Sequence, residues 1–357
     1  MVICLSICHT GKVLHLKTFM QILENFSLKA YNTFHIDAKA RWFISFKTLD
    51  ELNEALHSNP HVQTLQLVLG GGSNILFTQD FDGLVLKNEI KGIELLHEDE
   101  EYVYVKAGAG EIWQHFVLHC ISHDWAGLEN LSLIPGNVGA APIQNIGAYG
   151  VELSEVFWSL EAFHLLEKKM ITFTVDDCEF GYRESVFKRK YKNQFVIMNV
   201  IFRLCKHPAF HTSYGAINQE LEKMGIKELN IKAISQAVIN IRSSKLPYPE
   251  QIGNAGSFFK NPSVSKEKFE NLKSEFPNII GHEQMGSTVK LAAGWLIEQC
   301  GWKGFRKADA GVHTKQALVL VNYGNAGGKE IFDLGHEIQQ SVKEKFAVDL
   351  EMEVNIV

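Results

Sequence analysis

Between Asn32 and Leu96 the apolar positions fall in short runs, Trp42–Phe46, Leu65–Leu69 and Leu84–Leu86, and a helical spacing intervenes over Leu49–His57. Runs of that length bounded by turn residues predict strands, so this segment reads as a small α+β unit. Tyr102–Val105 opens a second unit, with a helix predicted over Glu111–Ser122 and strands near Val156–His164, Met170–Thr174 and Phe195–Leu204. Strands and helices alternate without a regular βαβ rhythm, and the expected class is α+β. A helix over Ile231–Ser244 places Ile231, Ile234, Val238 and Ile241 at steps of 3, 4 and 3, and it must stop before Pro247. It is expected to open a third unit with a helix over Ala292–Cys300, a buried strand over Ala317–Val321 and a long helix over Lys329–Phe346. The alternation from Val348 to Val357 reads as a last strand. The expected units are therefore 20–96, 97–230 and 231–346, with a terminal strand over 347–357.

Composition narrows the class. At 357 residues with 46% hydrophobic content, the chain can bury more than one core. A net charge of −6 with 35 scattered basic residues suggests neither a nucleic-acid footprint nor a membrane-surface one, so an anionic ligand needs a local basic pocket. The six cysteines form no CxxC pair and no metal-ligand spacing, and they read as reduced thiols of a cytosolic protein. The opening Met1–Cys8 is apolar, lacks a basic segment before it and is too short to span a bilayer, so no signal peptide is expected. Met20 is an alternative initiator, which makes residues 1–19 an N-terminal extension.

Four segments carry candidate chemistry. Leu67-Val68-Leu69 runs into Gly70-Gly71-Gly72-Ser73-Asn74, a strand opening onto a loop whose bare amides can approach a pyrophosphate. It lacks the Gly-Lys-Ser/Thr ending of a Walker loop, and Ile75 stands where a GxGxxG fingerprint needs its third glycine. Alone, such a loop is more often a tight turn. Pro135–Gly150 repeats the theme: small residues let a flat ligand lie on the backbone, and the Gln144 and Asn145 amides could bond a polar ring edge, although close chain packing also explains the glycines. In Gly181-Tyr182-Arg183-Glu184-Ser185, Arg183 can grip a carboxylate bidentately, the bland alternative being an ion pair with Glu184 or Asp177. In Gly253–Pro262, Ser257 holds a hydroxyl between Gly256 and Phe258-Phe259. Such a hydroxyl can act as an acid toward a very basic carbon if its geometry is fixed, and otherwise it is a turn residue.

In that order these motifs resemble the UDP-N-acetylenolpyruvoylglucosamine reductases of bacterial cell-wall synthesis, the MurB family in its type I form, from about Asn32 to the C-terminus. The resemblance implies two FAD-binding subdomains of the vanillyl-alcohol-oxidase (PCMH) type followed by a C-terminal α+β substrate-binding domain. It implies noncovalent FAD held by Gly70, Gly71, Gly72, Ser73, Asn74, Pro135, Gly136, Gly139, Ala140, Gln144, Asn145, Gly147, Ala148, Tyr149 and Gly150. Hydride from NADPH would pass through the flavin to the vinyl carbon of UDP-N-acetylglucosamine enolpyruvate. Arg183, Ser257 and Glu353 match the catalytic residues; Tyr182, Tyr214, Lys245, Asn261 and Gln316 match substrate contacts, with Tyr214 on a mobile loop near 210–215. His313 has no partner at metal or triad spacing, and no metal is expected. The chain departs from the pattern at Met352, where the family has proline, and in its N-terminal extension. The partners implied are small molecules, with no nucleic acid or membrane, and the protein is expected to be monomeric and cytoplasmic. The rival readings are an FAD oxidase of the same superfamily and a flavin-binding sensor without turnover.

Overall fold

The computed structural model describes residues 22–58, 65–214, 216–284 and 286–357, so the expected extension over 1–19 and Met20 lie outside the described residues. Strands Leu23–Ser27, Lys39–Phe46, Phe81–Asn88 and Gln66–Leu69 form the first sheet in that spatial order, its first pair antiparallel and the others parallel. Trp42, Ile44 and Phe46 face the helix Leu49–Ser58, where they pack with Leu52 and Leu56. Phe43 and Val85 belong to the opposite face.

The second sheet is antiparallel throughout, in the order Lys169–Thr174, Phe157–His164, Phe195–Cys205, Tyr102–Gly108, Ile93–Glu98. Its core joins Val103, Val105 and Phe202 to Trp113 and Phe116 of the helix Trp113–Ser122. The strand Ile93–Glu98 straddles the expected boundary at 96. A hairpin to Tyr102–Gly108 draws it into this sheet, although none of its six residues is buried and three of them, Glu94, His97 and Glu98, are polar. The helix Ile231–Lys245 starts where the Asn230 side chain accepts a hydrogen bond from Ala233 N at 2.9 Å. Expected to open the third unit, it packs instead on the second, with Ile231 in that core and Val238 against Ile217 and Leu221.

The C-terminal unit has a sheet of Gly253–Asn254, Leu320–Asn322, Ala310–Val312 and Arg306–Lys307, a smaller one of Ser263–Ser265, Thr288–Leu291 and Gly281–Glu283, and the long helix Gly328–Phe346. The expected strand over 317–321 is shifted to Leu320–Asn322, because Val319 N donates to Gln316 O and closes a turn first. The expected terminal strand is also corrected: only Asn355–Ile356 is regular, pairing with Ile75–Leu76. Upstream the chain switches partner, Met352 bridging Phe259, so one extended tail serves two neighbours in turn. Phe258, Ile331, Leu334 and Ile338 of this unit share a single core with Phe43 and Val85 of the first sheet and with Phe34 of the turn between its first two strands. No helix among the described residues is long and apolar enough to cross a membrane.

Candidate active site

The two glycine loops meet. Gly72 lies at φ +63°, and a Cβ there would stand 2.0 Å from Tyr31 O, so no other residue fits without moving backbone. Gly136, at φ +118°, approaches the first loop so closely that a Cβ would stand 2.6 Å from Ser73 Oγ, and that hydroxyl donates to Pro135 O at 3.1 Å. Gly71, Ser73, Pro135 and Gly136 line a cavity of about 820 Å³ whose far wall includes Pro247 and Tyr248. Four cations, Lys47, Lys87, Lys91 and Arg242, also line it, with Glu89 and Glu250 among them. Lys87 Nζ donates to Gly70 O at 2.6 Å, and burial lowers its pKa. Arg242 Nε donates to Leu133 O at 3.2 Å, and among the described residues it has no carboxylate partner. Bare amides, a cluster of cations and apolar walls from Ile112, Leu133, Ile134 and Leu246 suit a planar cofactor joined through a pyrophosphate.

The rest of the second loop works on the loop itself. Gly139 packs on Ala109, leaving 2.5 Å for a Cβ, next to Ala140 in the same tight turn. Asn145, buried at φ +41°, accepts from Ser154 N and donates to Glu152 Oε2 and Gly181 O, so its amide is committed to the turn rather than to a ring edge. Gln144 Oε1 accepts from Asn74 Nδ2 and ties the two loops together. Gly147 and Ala148 pair with Glu152 and Val151, and Gly147 O accepts from Arg183 Nη2 at 2.6 Å. Tyr149 (φ +51°) and Gly150 (φ +83°) form the next turn, on which Tyr214 rests, 3.2 Å from where a Gly150 Cβ would be. Asn130 Nδ2 donates to both Tyr149 O and His211 O and fastens the tyrosine segment to that turn.

The chemical corner is built by three segments. Gly181 and Glu184 exchange backbone hydrogen bonds at 3.0 and 3.1 Å, which leaves Tyr182 and Arg183 at the tip of a two-residue turn with Arg183 at φ +57°. Arg183 Nε pairs with Glu353 Oε1 at 3.1 Å, and not with Glu184 or Asp177. Glu353 N donates to Phe258 O at 2.8 Å, so the carboxylate is registered one residue from Ser257. Burial raises the Glu353 pKa, against the pull of Arg183, Lys188 and Lys260. Ser257 follows Gly256 at φ +69° and makes no side-chain hydrogen bond to any described residue.

Gly256 lines the first cavity and Asn261 a second one, of about 920 Å³, so Ser257 lies on the segment joining them. Tyr214, Lys245, Asn261 and Gln316 all line the second cavity, with Lys290 and Lys315 adding positive charge. Tyr182 stands at its margin, its ring centroid 3.6 Å from Lys290 Nζ. Asn261 Oδ1 accepts from Ala293 N at 2.9 Å, which orients its amide. His313 is buried away from this lining, and its Nδ1 has no hydrogen-bond partner. No group of three or more potential metal ligands occurs among the described residues. Sequence reasoning missed Lys87 and Arg242; the available signal was a cation four residues after Val238, beside an apolar helical stripe.

Comparison with known proteins gives the same two halves. The model of the FAD binding domain matches residues 40–164, and that of the UDP-N-acetylenolpyruvoylglucosamine reductase C-terminal domain matches 247–357. The UDP-N-acetylenolpyruvoylglucosamine reductase of Flavobacterium johnsoniae is 50% identical over 339 residues, covering 95% of this chain and all of its own. That of Amoebophilus asiaticus is 52% identical over 338 residues, again covering 95% of this chain and 100% of its own. The crystal structure of the enzyme from Thermus caldophilus superposes with a TM-score of 0.67 at 23% identity, over 95% of this chain and 99% of that one, and shares the fold. With an FAD-binding domain in front and the reductase C-terminal domain behind, the chain belongs to the UDP-N-acetylenolpyruvoylglucosamine reductase family.

Proposed function

We propose that the chain reduces UDP-N-acetylglucosamine enolpyruvate to UDP-N-acetylmuramate with NADPH, through noncovalently bound FAD, in the assembly of peptidoglycan precursors. The observation that carries this is the Arg183–Glu353 pair at 3.1 Å, with Glu353 N bonded to Phe258 O next to Ser257, on the segment that joins the two cavities. FAD, when bound, supplies hydride transfer from the nicotinamide to the vinyl carbon of the substrate. The amides of Gly70–Asn74, Gly136 and Asn137, with Lys87 and Arg242, would hold it.

The protein's own work is charge and proton management. After hydride reaches the vinyl carbon, negative charge develops on the neighbouring carbon and spreads into its carboxylate. Arg183 keeps its charge in a half-buried corner and grips that carboxylate, which favours the state in which charge has spread. Ser257, with no competing side-chain bond, is free to turn its hydroxyl toward the carbon and give it a proton. Glu353, with a raised pKa, stands against Arg183 and shares the proton economy of the corner. Lys245, Asn261, Tyr214 and Gln316 hold the nucleotide diphosphate portion, and Tyr182 packs beside the reacting end. We further propose that the protein acts in the cytoplasm as a monomer on small molecules, without nucleic acid or membrane partners.

Stopped-flow absorbance on purified yellow protein tests this. NADPH should bleach the flavin, and UDP-N-acetylglucosamine enolpyruvate should restore its colour. Recovery driven by oxygen alone would mark an oxidase, and failure of NADPH to bleach it would mark a binding protein.

A further inference from the structure

Behind the Arg183–Glu353 pair lies a buried cation that the proposed reaction does not use. Lys260 is 7% exposed, and its Nζ donates to Glu184 Oε1 at 2.8 Å and to Glu351 Oε1 at 2.6 Å. Glu184 closes the two-residue turn that presents Arg183, and Glu351 lies two residues before Glu353. The main chain repeats the connection: Lys260 N donates to Glu351 O at 2.9 Å, while Glu353 N donates to Phe258 O at 2.8 Å. Ser257 is on the same extended segment as Lys260. One ammonium therefore touches a chain neighbour of Arg183 and the extended tail that carries Glu353, from the segment that carries Ser257.

Resting on the function proposed above, we infer that Lys260 is a positioning residue, whose bridge between Glu184 and Glu351 fixes where the Arg183 guanidinium and the Glu353 carboxylate stand relative to Ser257. Stability alone is a poor reason to keep it. A buried ammonium must shed its hydration, and apolar replacements for buried ion pairs are often neutral or stabilising. A turn that holds a non-glycine residue at φ +57°, by contrast, needs an external restraint. Lys260 supplies one from outside the turn. It also contributes charge: Glu353 is faced by Arg183, Lys188, Lys260 and Tyr182, and removing one cation pushes its already raised pKa further up.

The test compares flavin half-reactions in Lys260→Met, Lys260→Arg and Glu351→Gln. In Lys260→Met, reduction by NADPH should stay within about twofold of wild type, whereas reoxidation by substrate slows roughly 100-fold, the cost of an ångström-scale misplacement. The pH limb that reports Glu353 ionisation should move to higher pH, and Lys260→Arg should recover at least about tenfold of the loss. Glu351 is 69% exposed, so Glu351→Gln keeps the fold and removes one arm of the bridge; about fivefold slower reoxidation is expected. Reoxidation within about threefold of wild type in Lys260→Met, or in Glu351→Gln should Lys260→Met not fold, with an unmoved pH limb, would overturn the inference. Wild-type protein that substrate cannot reoxidise would sink the functional reading instead.

Discussion

A non-glycine residue at positive φ carries a conformational cost of roughly 1 kcal/mol, and Arg183 bears it at the tip of its turn. In return the guanidinium reaches Glu353 and Gly147 O together. Ser257→Ala is expected to leave reduction of the flavin by NADPH intact and to slow its reoxidation by substrate by more than about tenfold, the least a general acid contributes. Rapid-mixing traces separate the two phases, and a smaller loss would remove Ser257 as proton donor. A second residue bears on stability. Glu129 is buried, and burial raises its pKa despite the hydrogen bond from Gly127 N at 2.7 Å. An acid with a raised folded-state pKa lends stability below its unfolded pKa and loses it as pH climbs through the folded value. Glu129→Gln should therefore raise the melting temperature at pH 7 by about 2 °C and give no gain near pH 4, as calorimetry at the two pH values would show. Arg183 and Ser257 stood out in the sequence because each sits in a motif of unusual composition, whereas Glu353 was marked only by its match to the family pattern. Their mutual geometry did not, since the Arg183 partner lies 170 positions away and nearer carboxylates offer themselves first. Lys87 and Arg242 were missed because an isolated cation gains meaning chiefly from what it is buried beside, and the apolar stripe next to Arg242 was the sole hint.

Elements were more legible than sites where periodicity is strong. Ile231–Lys245 and Gly328–Phe346 were readable from their apolar stripes, and the strands of the second sheet from runs of alternating or continuous apolar residues. The tail misled, because alternation records burial on one side and says nothing about partners. Val348, Leu350 and Val354 are buried while the chain changes neighbours between them. The last residues bond the cradle side directly: Asn355 N donates to Asn74 O, Val357 N to Leu76 O, and Thr78 N to Val357 O. Deleting residues 354–357 should therefore weaken FAD retention as well as turnover, with about 2 kcal/mol lost from Val354 burial alone, measurable by urea titration with flavin absorbance. Full flavin content after deletion would limit the tail to holding Glu353. At the other loop, Gly136→Ala forces a Cβ toward Ser73 Oγ at an unfavourable φ. Its expected outcome is at least about tenfold weaker FAD binding by fluorescence titration, with an unchanged far-ultraviolet spectrum.

At the scale of the whole molecule, the order of units followed from where helical and strand periodicities begin, while their assembly did not. Nothing in the local pattern of Phe43 or Val85 says that the face they occupy is completed from the far end of the chain. The consequence concerns birth rather than function. The first sheet is complete in sequence at Asn88, yet the helix that supplies Ile331, Leu334 and Ile338 ends at Phe346. At about 5–20 residues per second, a nascent chain waits roughly 10 to 50 s with that apolar face open, long enough for holding chaperones to bind it. A messenger whose rare codons slow the stretch between residues 88 and 346 should lower the yield of native protein while leaving its amino-acid sequence, and every contact in the finished fold, unchanged.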